Sequence, residues 1–119
     1  MASGTNLVIE TLHGPENLTL PLEGDKPLAI GRGQENDFVL ASGKTVSRKH
    51  ALLKPMGTIW KLQDMKSRHG TFLNGIKLKQ GREVQIRSSD LITIEPFTFE
   101  VVDKNEDKRF SESFDDANT

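Results

Sequence analysis

The chain has 119 residues, a formal net charge of −1 and no cysteine. A domain of this length can bury a hydrophobic core without covalent cross-links, and the absence of cysteine excludes a disulfide framework. No apolar run approaches the ~20 residues of a membrane-spanning helix, and the first residues lack the basic and apolar segments of a signal peptide, so we expect a soluble intracellular domain.

The charge is distributed unevenly along the chain. Residues 44–87 contain eleven Lys and Arg side chains against two acidic ones, whereas the residues from Asp103 onward contain six acidic side chains against three basic ones. A strongly basic middle favours an anionic partner, although a well-solvated surface would give the same composition.

Apolar residues recur with period two or in short runs between turn residues, and no stretch keeps the i, i+3, i+4 spacing of a helix for ten residues. This pattern predicts an all-β chain of about eleven short strands in a two-sheet β-sandwich. The predicted strands are, in chain order, Asn6–Leu12, Leu18–Leu22, Lys26–Ile30, Phe38–Leu40, His50–Lys54, Thr58–Asp64, Thr71–Leu73, Ile76–Leu78, Glu83–Ile86, Leu91–Glu95 and Thr98–Val102.

Local signals refine this prediction. Asn74-Gly75 is the strongest hairpin signal, because a type I′ turn needs positive φ at both central residues. Trp60 shares a strand face with Leu62, so the only tryptophan is predicted in the core. Residues 41–46 have no periodicity and are predicted to form an exposed loop, and Pro55 is predicted to end its strand.

The folded domain is predicted over residues 7–103. Residues 1–6 are predicted to form a flexible N-terminus. Residues 104–119 are rich in Lys, Glu, Asp, Ser and Asn, with only Phe110 and Phe114 as large apolar residues, and are predicted to form a disordered acidic tail or linker.

Three sets of residues partly match catalytic or metal-binding motifs but lack the remaining residues or the spacing that those motifs require. Gly31-Arg32-Gly33 begins like a dinucleotide-binding motif, but Asn36 stands where the third glycine belongs and no helix pattern follows. Ser47, His50 and Asp64 are the residue types of a hydrolase triad, but the Gly-x-Ser-x-Gly turn is absent. The histidines lie in separate segments without paired ligand spacing. We therefore predict no enzyme activity, metal site or cofactor.

Four short motifs follow one another in the sequence: Gly31-Arg32, Ser47-x-x-His50, Gly70-Thr71 and Asn74-Gly75. Their order and spacing resemble those of the forkhead-associated (FHA) domain, over about residues 7–102. That family is an eleven-stranded β-sandwich that binds phosphothreonine peptides through loops at one end. The resemblance implies a phosphopeptide-recognition module, a signalling or scaffold adaptor without catalysis, with a nuclear location favoured over a cytoplasmic one.

The resemblance also implies roles for individual residues. Arg32 is expected to hold the phosphate, for which a permanently charged guanidinium with several donors is well suited. Ser47 is expected to donate its hydroxyl to the same phosphate, and Arg48 to be the third phosphate ligand. The residues expected to contact the peptide beside the phosphothreonine are Lys44, Thr45, Arg68 and His69.

A further set of residues is implied to support the site without touching the ligand: Gly31, His50, Gly70, Thr71, Asn74 and Gly75. Among them, the ring nitrogens of His50 are expected to fix the backbone near Gly31 and Ser47. Thr71 is expected to pack behind the site and stabilise the loop of residues 67–69.

His69 departs from the family pattern, which has asparagine immediately before the Gly-Thr pair to hold the peptide main chain. A neutral imidazole offers one donor and one acceptor and can imitate part of an amide. A protonated imidazole offers two donors and a charge, which favours phosphate or an acidic residue. The peptide affinity is therefore expected to depend on how far the imidazole replaces the amide.

Two alternative functions use the same residues. A nucleic-acid-binding β-domain would use the basic middle and would show a steep salt dependence. A phosphorylation-independent interaction or dimerisation module is the alternative that His69 leaves open. The favoured partner is a phosphothreonine-containing protein bound by a monomeric fragment; nucleic acid is less favoured, and no membrane contact is expected.

Overall fold

The short alternating segments pair into two sheets in the computed structural model, which describes residues 6–105. One sheet has six strands in the order β2-β1-β11-β10-β7-β8, and the other has five in the order β4-β3-β5-β6-β9. The strands are β1 Leu7–His13, β2 Thr19–Pro21, β3 Leu28–Gly31, β4 Phe38–Val39, β5 Ala51–Met56, β6 Ile59–Asp64, β7 Phe72–Leu73, β8 Ile76–Lys77, β9 Glu83–Ile86, β10 Leu91–Ile94 and β11 Phe97–Asp103. The predicted all-β sandwich of eleven strands is confirmed.

The inner faces of the two sheets form one hydrophobic core. Ile9 pairs with Val101 in the six-stranded sheet and Leu53 pairs with Leu62 in the five-stranded sheet, and all four side chains are buried. Each such side chain contributes about 1.5 to 3 kcal/mol of hydrophobic stabilisation. Trp60 is fully buried, which confirms its predicted place in the core.

Two strand bounds are predicted wrongly, and one loop is less exposed than predicted. β5 continues through Pro55, which pairs with Trp60 one position before the strand ends, where a missing N–H interrupts little of the ladder. β11 begins at Phe97, one residue before the predicted start at Thr98, because Phe97 pairs with Ile94; its buried ring stacks on Phe99 with centroids 5.4 Å apart. Residues 41–46 form a loop as predicted, but Val46 is 1% exposed and packs in the core, so it holds the loop against the sandwich.

The two ends of the sandwich carry different elements. At one end of the sandwich, β3 and β6 finish and β5 starts. At this end the hydroxyl of Thr45 donates to the carbonyl of Glu95 at 2.8 Å. The hairpin turn at Asn74-Gly75 lies at the opposite end, where the amide of Asn74 donates to the carbonyl of Leu91. β11 also ends there. Both turn residues have positive φ, 52° and 83°, as the sequence predicts.

The chain termini are described only in part. Asn6, Lys104 and Asn105 are described, and the amide of Lys104 donates to the carbonyl of Asn6 at 3.0 Å. The remaining residues of the predicted N-terminus and acidic tail lie outside the described residues. Within residues 6–105, no helix has the length and apolar character needed to cross a membrane.

Candidate functional site

A cleft of about 440 Å³ opens between three loops at the end of β3. All seven residues predicted to contact phosphate or peptide line it, together with Val46. The lining residues are Arg32, Lys44, Thr45, Val46, Ser47, Arg48, Arg68 and His69. Four of them are cationic, and the described lining contains no carboxylate. The cleft is therefore suited to an anion.

Two hydrogen bonds fix Arg32 to the loop that carries Val46 and Ser47. Its Nε donates to the carbonyl of Val46 at 3.0 Å, and its amide donates to the carbonyl of Ser47 at 3.0 Å. The side chain is exposed, so its two terminal amino groups are available to an anion. The guanidinium is thus held in place before any ligand arrives.

Ser47 joins two of the loops around the cleft. Its Oγ accepts the amide proton of Arg68 at 2.9 Å, which leaves the hydroxyl proton to be donated elsewhere. Ser47 therefore positions the residue 67–70 loop and offers a donor to the cleft at the same time.

The backbone of Arg48 packs unusually closely on Gly31. A Cβ atom at Gly31 would lie 2.1 Å from the carbonyl oxygen of Arg48, so only glycine fits there. The same carbonyl accepts hydrogen bonds from the amide of Gly33 at 3.2 Å and from Nδ2 of Asn36 at 2.7 Å. Nδ2 of Asn36 also donates to the carbonyl of Gly33, at 2.7 Å. Asn36 is buried, so it braces the loop that carries Arg48 from inside.

His50 connects the first two loops to the third. The amide of Ser47 donates to its Nδ1 at 3.1 Å, and its Nε2 bonds the carbonyl oxygen of Gly70 at 2.9 Å. The Gly70 carbonyl can only accept, so Nε2 carries a proton. Nδ1 accepts the Ser47 amide proton and therefore carries none, so the imidazole is neutral. Burial lowers the pKa of His50, against smaller raising effects of the Gly70 bond and the Asp64 charge.

The His50 contacts differ from the predicted ones in one partner. The sequence-based prediction names the backbone near Gly31 and Ser47, whereas the ring reaches Ser47 and Gly70. Because both ring nitrogens bond to backbone groups, neither holds the Ser47 hydroxyl as a hydrolase base would.

Asp64 organises the loop of residues 67–70 from a buried position. Its carboxylate accepts the Ser67 hydroxyl at 2.5 Å, the Ser67 amide at 3.1 Å and the Thr71 hydroxyl at 2.7 Å. Ser67 Oγ in turn accepts the amide proton of Gly70 at 2.9 Å. Thr71 is fully buried, and its bond to Asp64 links it to the loop of residues 67–70.

The remaining predicted support residues lie on the β7–β8 hairpin side. Gly70 has φ +94°, and a Cβ there would lie 2.7 Å from the Cε atom of Lys77. Asn74 accepts the amide proton of Leu91 at 2.9 Å and donates to Asp90 at 3.0 Å. Asn74 and Gly75 therefore shape the hairpin at the end away from the cleft.

Sequence reasoning missed Asp64, Ser67 and Asn36 as site-building residues. Asp64 and Ser67 carry a readable signal, since an Asp at a strand end often caps the amide three residues later. The local bond of Asn36 to Gly33 does not indicate its second bond, because the second partner, Arg48, lies twelve residues along the chain.

The chain resembles proteins that carry the same fold. The sequence model of the FHA domain matches residues 28–95. The FHA domain-containing protein FhaB of Mycolicibacterium smegmatis is 35% identical over 63 residues, which are 53% of this chain and 40% of that protein. The chain thus spans well under half of this relative.

Two solved structures extend the comparison. A chain solved in a study of phosphothreonine-dependent FHA domain interactions is 28% identical with a TM-score of 0.72, covering 82% of this chain and 96% of that one. Mycobacterium tuberculosis EmbR, in complex with a low affinity phosphopeptide, is 25% identical with a TM-score of 0.70, covering 82% of this chain and 24% of that one.

The buried carboxylate gives a first prediction. Asp64→Asn replaces one acceptor oxygen by a donor that faces other donors, so the free energy of unfolding should fall by about 1.5 to 3 kcal/mol. Urea unfolding followed by Trp60 fluorescence measures this. Asp25→Asn, in the exposed turn before β3, is the control and should change stability by less than about 0.5 kcal/mol. Equal stabilities of the two variants would contradict the role of Asp64.

The buried imidazole gives a second prediction. Because folding lowers the pKa of His50, the unfolded chain takes up a proton as the pH falls below the ordinary value of 6.5, while the folded chain resists it. The stability that neutral His50 contributes is therefore complete above that pH and declines below it, down to the lowered pKa. Urea unfolding at about pH 7.5 and about pH 5.5 should show this loss in the native chain and a smaller one in His50→Gln.

The control for this measurement is His13→Gln, because His13 is exposed at the end of β1. Its pH dependence should match that of the native chain. If His50→Gln also matched it, the buried imidazole would not be responsible for the loss.

Proposed function

The chain belongs to the FHA domain family, and from that premise we propose that its cleft binds phosphothreonine-containing protein segments. Arg32, Ser47 and Arg48 hold the phosphate in this proposal, and Lys44, Thr45, Arg68 and His69 contact the neighbouring peptide. The protein acts as a phosphopeptide-binding adaptor inside the cell. A nuclear location is proposed from the family resemblance alone.

The observation that carries the proposal is the arrangement around Arg32. Its Nε is occupied by the carbonyl of Val46, while Ser47 keeps a hydroxyl proton to donate and lines the same cleft. A phosphate dianion needs several donors that converge from a fixed frame, and charged hydrogen bonds of this kind are about twice as strong as neutral ones.

The expected affinity follows from these contacts. Each hydrogen bond to a charged group contributes about 1.5 to 3 kcal/mol. Three such contacts, less the cost of ordering a flexible peptide, correspond to a dissociation constant around the micromolar range, or about −8 kcal/mol. A weaker but phosphate-dependent interaction would still fit an adaptor that releases its partner quickly.

The nucleic-acid alternative is less well supported. Several basic side chains outside the cleft have other surroundings: Lys54 pairs with Glu83 at 2.6 Å, and Lys77, Lys79 and Arg82 line a separate groove with apolar residues. Trp60 is fully buried and unavailable for base stacking, as are Phe97 and Phe99. The positions of the basic side chains and the burial of these aromatic rings therefore do not favour nucleic-acid binding.

The proposal predicts a sharp dependence on Arg32. Arg32→Ala should weaken binding of a phosphothreonine peptide by about 2 to 5 kcal/mol, at least roughly thirtyfold, because the phosphate would be left without its main charged donor. Isothermal titration measures this, with Arg82→Ala as a control of equal charge change outside the cleft.

Three outcomes of this titration separate the alternatives. Loss with Arg32→Ala alone supports the proposal. Equal losses with both variants, together with a steep salt dependence, would indicate nucleic-acid-type binding. Equal binding of phosphorylated and unphosphorylated peptides would indicate a phosphorylation-independent module.

A further prediction concerns His69, which is exposed on the cleft. His69→Asn supplies an amide that can donate to and accept from a peptide main chain at once, so affinity for the same peptide should rise by about one neutral hydrogen bond, roughly two- to tenfold. Titration of both forms measures the change. Weaker binding by the Asn variant would mean that the imidazole makes a contact of its own, such as one to an acidic peptide residue.

A further inference from the structure

A second depression shares no lining residue with the cleft. It has a volume of about 430 Å³ and lies where β8 and β9, the edge strands of the two sheets, come together. Leu73, Leu78 and Val84 supply half-buried apolar side chains there, and Ile76 is 72% exposed. We call this depression the edge groove. An isoleucine so exposed beside other apolar groups indicates a contact surface.

The rim of the edge groove is basic. Lys77, Lys79 and Arg82 line it, and within residues 6–105 no salt bridge involves any of them. An apolar floor with an unneutralised basic rim fits a segment that combines large apolar side chains with acidic ones.

The chain itself contains such a segment. Residues 110–116 read Phe-Ser-Glu-Ser-Phe-Asp-Asp, with two aromatic side chains, three carboxylates and no cation. Elsewhere the sequence offers no comparable combination, since Phe38, Phe97 and Phe99 are buried in the core and Phe72 is half-buried in β7. Charge and apolar character are therefore complementary between residues 110–116 and the edge groove.

The position of β11 brings this segment within reach. β11 ends at Asp103, at the same end of the six-stranded sheet as the Asn74-Gly75 turn that borders the edge groove. Three strand spacings separate β11 from β8, or about 14 Å at ~4.8 Å each. Lys104 and Asn105 have helical backbone, so the reach is counted from Asn105. The residues from 105 to 110 can span about 16 Å when extended, and those from 105 to 114 about 30 Å.

We propose that residues 110–116 bind in the edge groove of the same molecule, with Phe110 and Phe114 against its apolar floor and the acidic residues against its basic rim. This contact uses none of the residues that line the phosphate cleft, and it does not rest on the function proposed for that cleft. It covers the exposed Ile76 and the open edges of two sheets, which would otherwise invite association with other strands.

A spin label tests the proposal in the full chain. Because the chain has no cysteine, Ser113→Cys provides a single labelling site. The label should broaden the methyl signals of Leu73, Ile76, Leu78 and Val84, and leave those of Leu52 and Ile59 on the outer face of the other sheet unchanged. The broadening should persist on dilution, since the contact is intramolecular.

Charge reversal supplies the matched variants. In the same labelled chain, Lys79→Glu with Arg82→Glu should abolish the broadening at the edge groove, and Lys26→Glu, in the exposed turn before β3, should preserve it. Dispersed methyl signals in each variant verify folding. The proposal is overturned by broadening centred on Val46 at the phosphate cleft, by no localised broadening, by broadening that disappears on dilution, or by broadening that survives the double reversal.

Discussion

The cleft depends on two hydrogen bonds made by the neutral imidazole of His50. One nitrogen accepts the amide proton of Ser47 and the other bonds the carbonyl of Gly70, so a single buried ring fixes two loops relative to each other. Protonation would remove the acceptor that Ser47 needs and place a charge where burial disfavours it. The frame of a strongly cationic cleft is therefore built around a side chain that must remain uncharged.

Four cationic side chains around one cleft repel one another, and their exposure to water keeps that cost small. The loops that carry these side chains are held by hydrogen bonds to a backbone carbonyl and a carboxylate. The carbonyl of Arg48 receives two donors, and the Asp64 carboxylate receives three. A phosphate bound as proposed would relieve this repulsion and meet donors that are already placed, so little of its binding energy would be spent on ordering the protein.

Local patterns in the sequence predict the architecture, and the resemblance to the FHA domain names the seven residues that line the cleft together with Val46. Period-two alternation and Asn74-Gly75 specify strands and a hairpin, and short loop motifs mark Arg32 and Ser47. The features that the sequence does not predict depend on contacts between segments far apart in the chain. Val46 looks like a loop residue until the loop is seen to fold over the core, and the second partner of His50 lies twenty residues along the chain.

The two basic surfaces of the domain differ in what lies beneath the charge. In the cleft, Arg32 and Ser47 are tied to backbone groups over a polar frame, which suits a strongly hydrated phosphate that needs fixed donors. In the edge groove, the charges of Lys79 and Arg82 border exposed and half-buried aliphatic side chains, which suits aromatic groups followed by carboxylates. Charge of the same sign therefore selects different ligands, because selectivity comes from the groups that hold the charge and not from the charge alone.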